Sequence, residues 1–146
     1  MPTLLNAHSH FSLLTGVPAP AELARAAATQ GYRALALTDQ PHLTGAIEFY
    51  ETCRAEGVKP ILGLQADLLL PGKQGGGRNQ LVLLAMDMAG WASLCALSSH
   101  TLGDPSGKQR PIPFDRLAET HTGLLALAGP WAPNGANQRH PLGALK

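Results

Sequence analysis

With 146 residues, 45% of them hydrophobic, the chain is long enough for one domain burying roughly 70% of its unfolded surface, and a second domain is not expected. Charged residues make up 14%, below the ~25% usual for soluble chains, and the net charge is +1. Arg and Lys, scattered from Arg25 to Lys146, form no basic stripe for neutralising several phosphates at once, so autonomous nucleic-acid binding is not indicated.

Leu4 to Ala7 reads as a short apolar strand leading into a loop with His8 and His10. Alternation in an extended segment puts the two histidines on one side, and neutral imidazoles bind zinc, iron and manganese well. The pair therefore permits joint ligation without requiring it, the ordinary alternative being a solvated loop.

Pro18-Ala19-Pro20-Ala21-Glu22 suits a helix start, and the helix runs to about Gln30 before Gly31 supplies a left-handed cap. Leu23, Ala26 and Ala27 are the residues predicted to face a core. Ala34 to Leu37 is a continuous apolar run, as a strand buried on both faces reads, and it delivers Thr38-Asp39-Gln40 to its C-terminal end. A second helix is expected from about Gly45 to Glu56, with Ile47 and Tyr50 at i, i+3 and Phe49 and Cys53 at i, i+4, closing at Gly57.

Lys59 to Leu70 reads as a strand that begins buried and ends half exposed, with Gln65 and Asp67 projecting polar groups. Pro71 to Asn79, with Gly75-Gly76-Gly77, lacks the Gly-Lys-Ser/Thr ending of a phosphate-cradling loop and reads as a flexible hairpin tip. Leu81 to Ala85 is a further strand, and Asp87 caps a helix whose Trp91, Leu94, Cys95 and Ser98 follow helical spacing to about His100. Residues 101 to 113 read as loop, Phe114 to Thr120 as a short helix, and Leu124 to Ala128 as a strand. The tail from Pro130 to Lys146 shows no periodicity.

Cys53 and Cys95 fall inside predicted helices without metal-ligand spacing, so free thiols in a reducing compartment are expected. No apolar run reaches the ~18 residues of a membrane span and no signal-peptide layout is present, which points to the cytoplasm. Alternating strands and helices imply an α/β fold with a largely parallel sheet. In such folds sites gather at strand C-termini, here Asn6 to His10, Asp39 to His42 and Gln65 to Asp67.

Several of these segments together carry a resemblance. Phe11-Ser12-Leu13-Leu14-x-Gly16, Ala36-Leu37-Thr38-Asp39, Leu43-x-Gly45-Ala46-Ile47-Glu48-Phe49-Tyr50 and Gly57-Val58-Lys59-Pro60-Ile61-Leu62-Gly63 are the strongest. Leu81-x-Leu83-Leu84-Ala85, Gly90-Trp91-x-x-Leu94 and Gly123-Leu124-Leu125-Ala126-Leu127-x-Gly129 follow in order. Together they resemble the N-terminal PHP (polymerase and histidinol phosphatase) domain of bacterial C-family DNA polymerases, the DNA polymerase III alpha subunits, over residues 4 to 130.

The resemblance implies a distorted (β/α)7 PHP barrel, whose active members hold a metal cluster and hydrolyse phosphoesters. A barrel of this kind needs ~200 residues or more, so the chain is expected to form roughly its first half. Residues 1–129 would be the N-terminal part of the PHP domain and 130–146 an irregular tail or truncated continuation, with an exposed sheet edge and apolar rim.

In the family register, His8 and Asp39 are the retained ligand types. Asn6 stands for the first histidine of the His-x-His motif, Thr15 for an acid, Gln40 for a histidine and Gln65 for a glutamate. Gln80 aligns with a further histidine and Pro130 with a cysteine. Neutral amides bind transition metals poorly, so no cofactor is expected. The alternative is one weakly held divalent ion (Zn, Mn or Mg) at a replacement site in which His10, His42 and Asp67 join His8 and Asp39. His100, His121 and His140 are placed in loops or at helix ends.

The resemblance implies a metal-depleted scaffold portion of a DNA-directed DNA polymerase acting in replication. Its expected partners are the remainder of the polymerase chain and, in some members, a proofreading exonuclease; DNA is reached only through the full polymerase, and no membrane is involved. The nucleotidyltransferase aspartates of the palm lie outside this chain. The alternatives are a free-standing metal-dependent phosphoesterase and the PHP domain of an error-prone C-family polymerase.

Overall fold

The structure, a computed structural model, describes residues 1–13, 15–71, 79–102 and 109–128. Its strands are β1 (Thr3–Ala7), β2 (Ala34–Leu37), β3 (Lys59–Leu69), β4 (Asn79–Ala85), β5 (Ile112–Pro113) and β6 (Leu124–Ala128). Its helices are α1 (Pro20–Thr29), α2 (Ala46–Ala55), α3 (Met88–Leu102) and α4 (Phe114–Glu119).

The strands form one mixed sheet in the order β1-β2-β3-β4-β6, with β5 also paired to β3. β1, β2 and the first part of β3 run parallel, whereas β3, β4 and β6 pair antiparallel. β3 joins the two halves because it changes partners along its length. Lys59 to Leu62 pair with β2, Gly63 to Leu68 pair with β4, and Leu68 and Leu69 pair with β5. Such a staggered strand curls the sheet into a half-barrel.

The expected alternation of strand and helix breaks between β3 and β4. Only residues 70–78 separate them, fewer than the dozen or so that a parallel crossover requires. The tip itself falls largely outside the described residues, but the antiparallel register from Gly63↔Leu84 to Leu68↔Asn79 is that of a hairpin. The loop expected over 101–113 is also shorter than its sequence suggests: α3 continues to Leu102 and Ile112 opens β5. A two-residue strand carries no periodicity from which it could be read. The tail from Pro130 lies outside the described residues.

Helices cover one face of the sheet in two groups. α1 and α2 bury Ala24, Ala27, Phe49 and Cys53 against Leu35, Leu37 and Val58. α3 and α4 bury Leu94, Leu97 and Leu117 against Leu64, Leu68, Leu81, Leu83 and Ile112. The other, concave face carries a smaller apolar layer of Ala36, Val82 and Leu84, flanked by Ile61 and Leu127.

Helix existence follows the sequence, but helix facing departs from it. α1 buries Ala24 and leaves Ala26 exposed, because its alanine-rich surface gives little contrast between faces. In α2, Phe49 and Cys53 are fully buried while Ile47 and Tyr50 stand 60% and 42% exposed. Between two candidate stripes, the one carrying the large aromatic ring reaches the sheet, where burying such a side chain contributes roughly 1.5–3 kcal/mol. β3 also reverses its expected gradient, with an exposed start and buried Gln65 and Asp67.

The start of α3 is fixed by close packing. Gly90 N–H donates to Asp87 Oδ1 (2.8 Å), and Met86 N–H donates to the Gly123 carbonyl (2.9 Å). A Cβ at Gly90 would stand 2.1 Å from that carbonyl oxygen. Gly90→Ala is therefore expected to lower unfolding free energy by about 3 kcal/mol, a backbone clash at the upper end of overpacking costs. Gly31→Ala, at φ 74 with open space around it, should cost only about 1–2 kcal/mol. Urea melts of the two variants check the order.

Burial pushes the Cys53 thiol up from 9.0 to about 11. Below the unfolded value both states are protonated, so the folded state keeps its full stability there. As pH rises from 9.0 towards about 11 the unfolded chain ionises first and stability falls. The drop in urea midpoint between pH 8 and pH 10.5 should be smaller in Cys53→Ala than in the native chain.

Candidate functional site: a buried carboxylate at the strand ends

β1 and β2 end side by side, with Ala7 opposite Leu37 and Thr38 N–H donating to the Ala7 carbonyl (2.8 Å). The chain then folds back over both ends. Ser12 N–H bonds the Ser9 carbonyl (3.0 Å), and Thr15 and Gly16 N–H groups both bond the Ser12 carbonyl (3.0 and 3.1 Å). Gly16 is required for this closure, since a Cβ there would lie 2.1 Å from the Ser9 carbonyl oxygen.

Asp39 lies beneath this loop, 2% exposed. Its Oδ1 accepts from the Ser9 N–H (2.7 Å) and the Ser12 hydroxyl (2.6 Å), and its Oδ2 accepts from the Ser9 hydroxyl (2.5 Å). Ser9 Oγ in turn accepts from Phe11 N–H (3.2 Å), and Ser12 Oγ from Gln40 N–H (3.1 Å). The carboxylate therefore has three donors, whose own acceptor oxygens are engaged. His8 Nδ1 stands 3.5 Å from Ser12 Oγ. Because the Ser12 proton goes to Asp39, any bond there has Nδ1–H as donor and leaves the lone pair on Nε2.

The amides at the remaining strand ends bond to one another and to hydroxyls. Asn6 Oδ1 accepts from the Thr38 hydroxyl (2.5 Å), which also reaches the Ala7 carbonyl (3.2 Å). Gln65 Nε2 donates to Gln40 Oε1 (3.2 Å), and Gln40 Nε2 donates to Gln109 Oε1 (3.4 Å). Gln65 N–H also bonds the Asp39 carbonyl (3.1 Å). At the end of this relay, Gln109 Nε2 is buried with no hydrogen-bond partner among the described residues. Gln40 and Gln109, with Phe11, Leu13, Thr15, Pro41 and His42, line a cleft of about 280 Å³.

The structure thus brings Asn6, His8, Asp39, Gln40 and Gln65 to one end of the sheet, with Thr15 and His42 at the cleft beside them. Asp67 is buried and opposite Gln80 in the β3–β4 ladder. His10 is exposed, its ring 4.3 Å from that of Phe11. His100 sits in the last turn of α3, and His121 follows α4 with Nδ1 2.6 Å from the Ala118 carbonyl oxygen. Pro130 and His140 lie outside the described residues.

Among the described residues no group of three His, Cys, Asp or Glu side chains is placed to hold one ion. His8, His10, Asp39, His42 and Asp67 do not form such a group. The donor chemistry agrees: the Asp39 carboxylate accepts three hydrogen bonds from hydroxyl and amide protons, and the nearby side chains of Asn6, Gln40 and Gln65 are neutral amides. The residues present do not fit a multi-metal cluster. Ser9, Ser12 and Gln109 are functional neighbours that attention to histidines passes over. The readable signal for the serines was two hydroxyls three residues apart beside a strand end.

The PHP domain family profile matches residues 5–140. Among individual relatives, DNA polymerase III subunit alpha of Bacillus subtilis is 38% identical over 107 residues, 73% of this chain and 10% of that protein. The subunits of Thermus aquaticus and Escherichia coli K12 are each 36% identical, over 135 and 131 residues, and in both cases 86% of this chain matches 11% of the relative. The chain thus spans about a tenth of the length of the curated relatives it matches.

Two solved structures share the fold. A protein assigned as a metal-dependent phosphoesterase from Bifidobacterium adolescentis superposes with TM-score 0.54 at 18% identity, covering 68% of this chain and 32% of its own. An amidohydrolase from Chromobacterium violaceum, solved with bound sulfate and no metal, gives 0.51 at 26% identity over 64% and 32%. The profile match, the ordered motifs and the half-barrel agree: the chain belongs to the PHP domain family and is homologous to the N-terminal region of DNA polymerase III alpha subunits.

Proposed function

We propose that the chain is the N-terminal PHP portion of a DNA polymerase III alpha-like replicative polymerase and acts there as a structural scaffold without metal chemistry. The observation that carries this reading is the Asp39 carboxylate, buried and bonded to Ser9 and Ser12. An ion at Asp39 would have to displace hydroxyl donors bonded to a buried charge, where such bonds contribute about 1.5–3 kcal/mol each. The amides at positions 6, 40 and 65 offer little charge in compensation.

In this reading nucleotidyl transfer is performed by parts of the polymerase that this chain does not contain. The domain's partners are the remainder of the polymerase chain and a proofreading exonuclease, in the cytoplasm, and DNA is met only through the assembled polymerase. No helix among the described residues is long and apolar enough to cross a membrane. Sheet-end apolar groups such as Leu4, 40% exposed, and Leu125, 47% exposed, are where the rest of a barrel would pack. The second reading is a PHP metallophosphoesterase, favoured by the retention of His8, whose Nε2 is left as the lone-pair nitrogen when Nδ1 faces Ser12.

Metal analysis after incubation with Zn or Mn, combined with p-nitrophenyl phosphate hydrolysis, separates the two. The scaffold reading expects well under one metal per chain and no turnover. Stoichiometric metal with turnover abolished in Asp39→Ala would sink it. Structurally, Asp39→Asn should lower unfolding free energy by about 2–3 kcal/mol through loss of charge-assisted bonds. Ser12→Ala should lose roughly half as much, and neither loss should depend on added metal in parallel urea melts.

A further inference from the structure

At the end of the sheet opposite Asp39, the two helix-to-strand turns share a plan. After Gly31, Tyr32 N–H bonds the Ala27 carbonyl (2.9 Å), and after Gly57, Val58 N–H bonds the Cys53 carbonyl (2.9 Å). Each turn then sets a cation at a strand start, Arg33 before β2 and Lys59 at the head of β3. The two are neighbours, since Lys59 N–H donates to the Arg33 carbonyl (3.0 Å). Arg54, in the last turn of α2, completes the group. The three side chains line one cleft of about 340 Å³ with Gly57, Val58 and Pro60.

All three cations are exposed, and none has an ion-pair partner among the described residues. Glu56, the acid at the end of α2, faces Arg25 instead (3.9 Å). The C-termini of α1 and α2 point here and contribute roughly −0.5 charge each, which explains part of the cation preference. That offsets about one charge of three and leaves about +2 facing the cleft.

The geometry points to a binding site for a terminal phosphate group, carried as the free ion or as the monoester of a nucleotide. A phosphate monoester has a charge of about −1.5 to −2 at neutral pH and three acceptor oxygens. Two guanidinium forks can bond it bidentately while the lysine adds a point charge. A carboxylate or a backbone phosphodiester carries one negative charge and leaves the cluster half neutralised. The site is separate from the Asp39 end, so neither metal binding nor its absence there alters the expectation.

Calorimetric titration of the 146-residue chain at low salt, with inorganic phosphate, AMP and an oligothymidine lacking terminal phosphate as probes, tests the assignment. One-to-one binding of phosphate is expected, weakened at least tenfold in Arg33→Ala and in Arg54→Ala, and unchanged in Arg116→Ala, a cation paired with Glu119 elsewhere on the surface. Affinity should also fall from pH 7.5 to pH 5 as the phosphate takes up a proton. Tighter binding of AMP identifies a nucleotide as the source, and equal or weaker binding identifies the free ion; both uphold the site. Absence of phosphate binding, equal loss in Arg116→Ala, or an oligothymidine that binds as tightly as phosphate overturns it. Circular dichroism confirms that the variants, all at exposed positions, remain folded.

Discussion

One buried charge organises the end of this sheet where three strands converge. Asp39 leaves β2 with its carboxylate inside the protein, and an unpaired carboxylate there would cost several kcal/mol. The chain meets that demand locally through Ser9 and Ser12, which means the loop after β1 must close over β2 in one conformation. Closure in turn requires the tight Ser12–Gly16 turn, where only glycine fits against the Ser9 carbonyl. Asp39 also fixes its other neighbour, because its carbonyl accepts the Gln65 N–H of β3. The Phe-Ser-Leu-Leu-x-Gly signature therefore has a physical meaning in this chain: its serine and glycine are parts of the clasp on the acid.

Around that acid, the polar end of the sheet is built from groups that satisfy one another. A glutamine has two donors and an acceptor, so three glutamines can form a relay across β3, the 39–42 segment and the segment before β5 without any charge. Charged side chains in the same volumes would each need a counter-charge or a proton to be buried there. Neutral amides need only one another, and the relay supplies those bonds. Gln109 Nε2, buried without a partner among the described residues, marks the end of the relay, where the network is least complete.

Much of the fold was legible from sequence because the signals were strong and local. Gly31 and Gly57 mark the ends of α1 and α2, both at φ 74, and β6 coincides with the apolar run from Leu124 to Ala128. What escaped was set by tertiary context. Gln65 and Asp67 looked half exposed because they are polar, yet both are buried, Gln65 bonded to Gln40 and to the Asp39 carbonyl and Asp67 opposite Gln80 in the ladder. The hairpin expected at Pro71 to Asn79 already implied a β4 antiparallel to β3, as the register shows; the general expectation of alternating helices did not hold there. At the site, two histidines drew attention to a loop whose decisive atoms are serine hydroxyls. Isolated serines look like ordinary loop residues, and their role appears only once Asp39, some thirty residues away, is brought beneath them.

The same construction explains why the two ends of the parallel strands differ so sharply in electrostatics. Strand C-termini here receive loops, and a loop can wrap a charge and neutralise it with hydroxyls and amides. Strand N-termini receive helix C-termini, whose unpaired carbonyls favour nearby cations. Arg33, Arg54 and Lys59 accumulate at that end because two such turns lie side by side above β2 and β3. Helix carbonyls are only partial charges, however, so the accumulation exceeds what they can balance. A fold that hides its acid at one end and leaves its bases open at the other is polarised along the strands, and the open end is the one that still has charge available for a ligand.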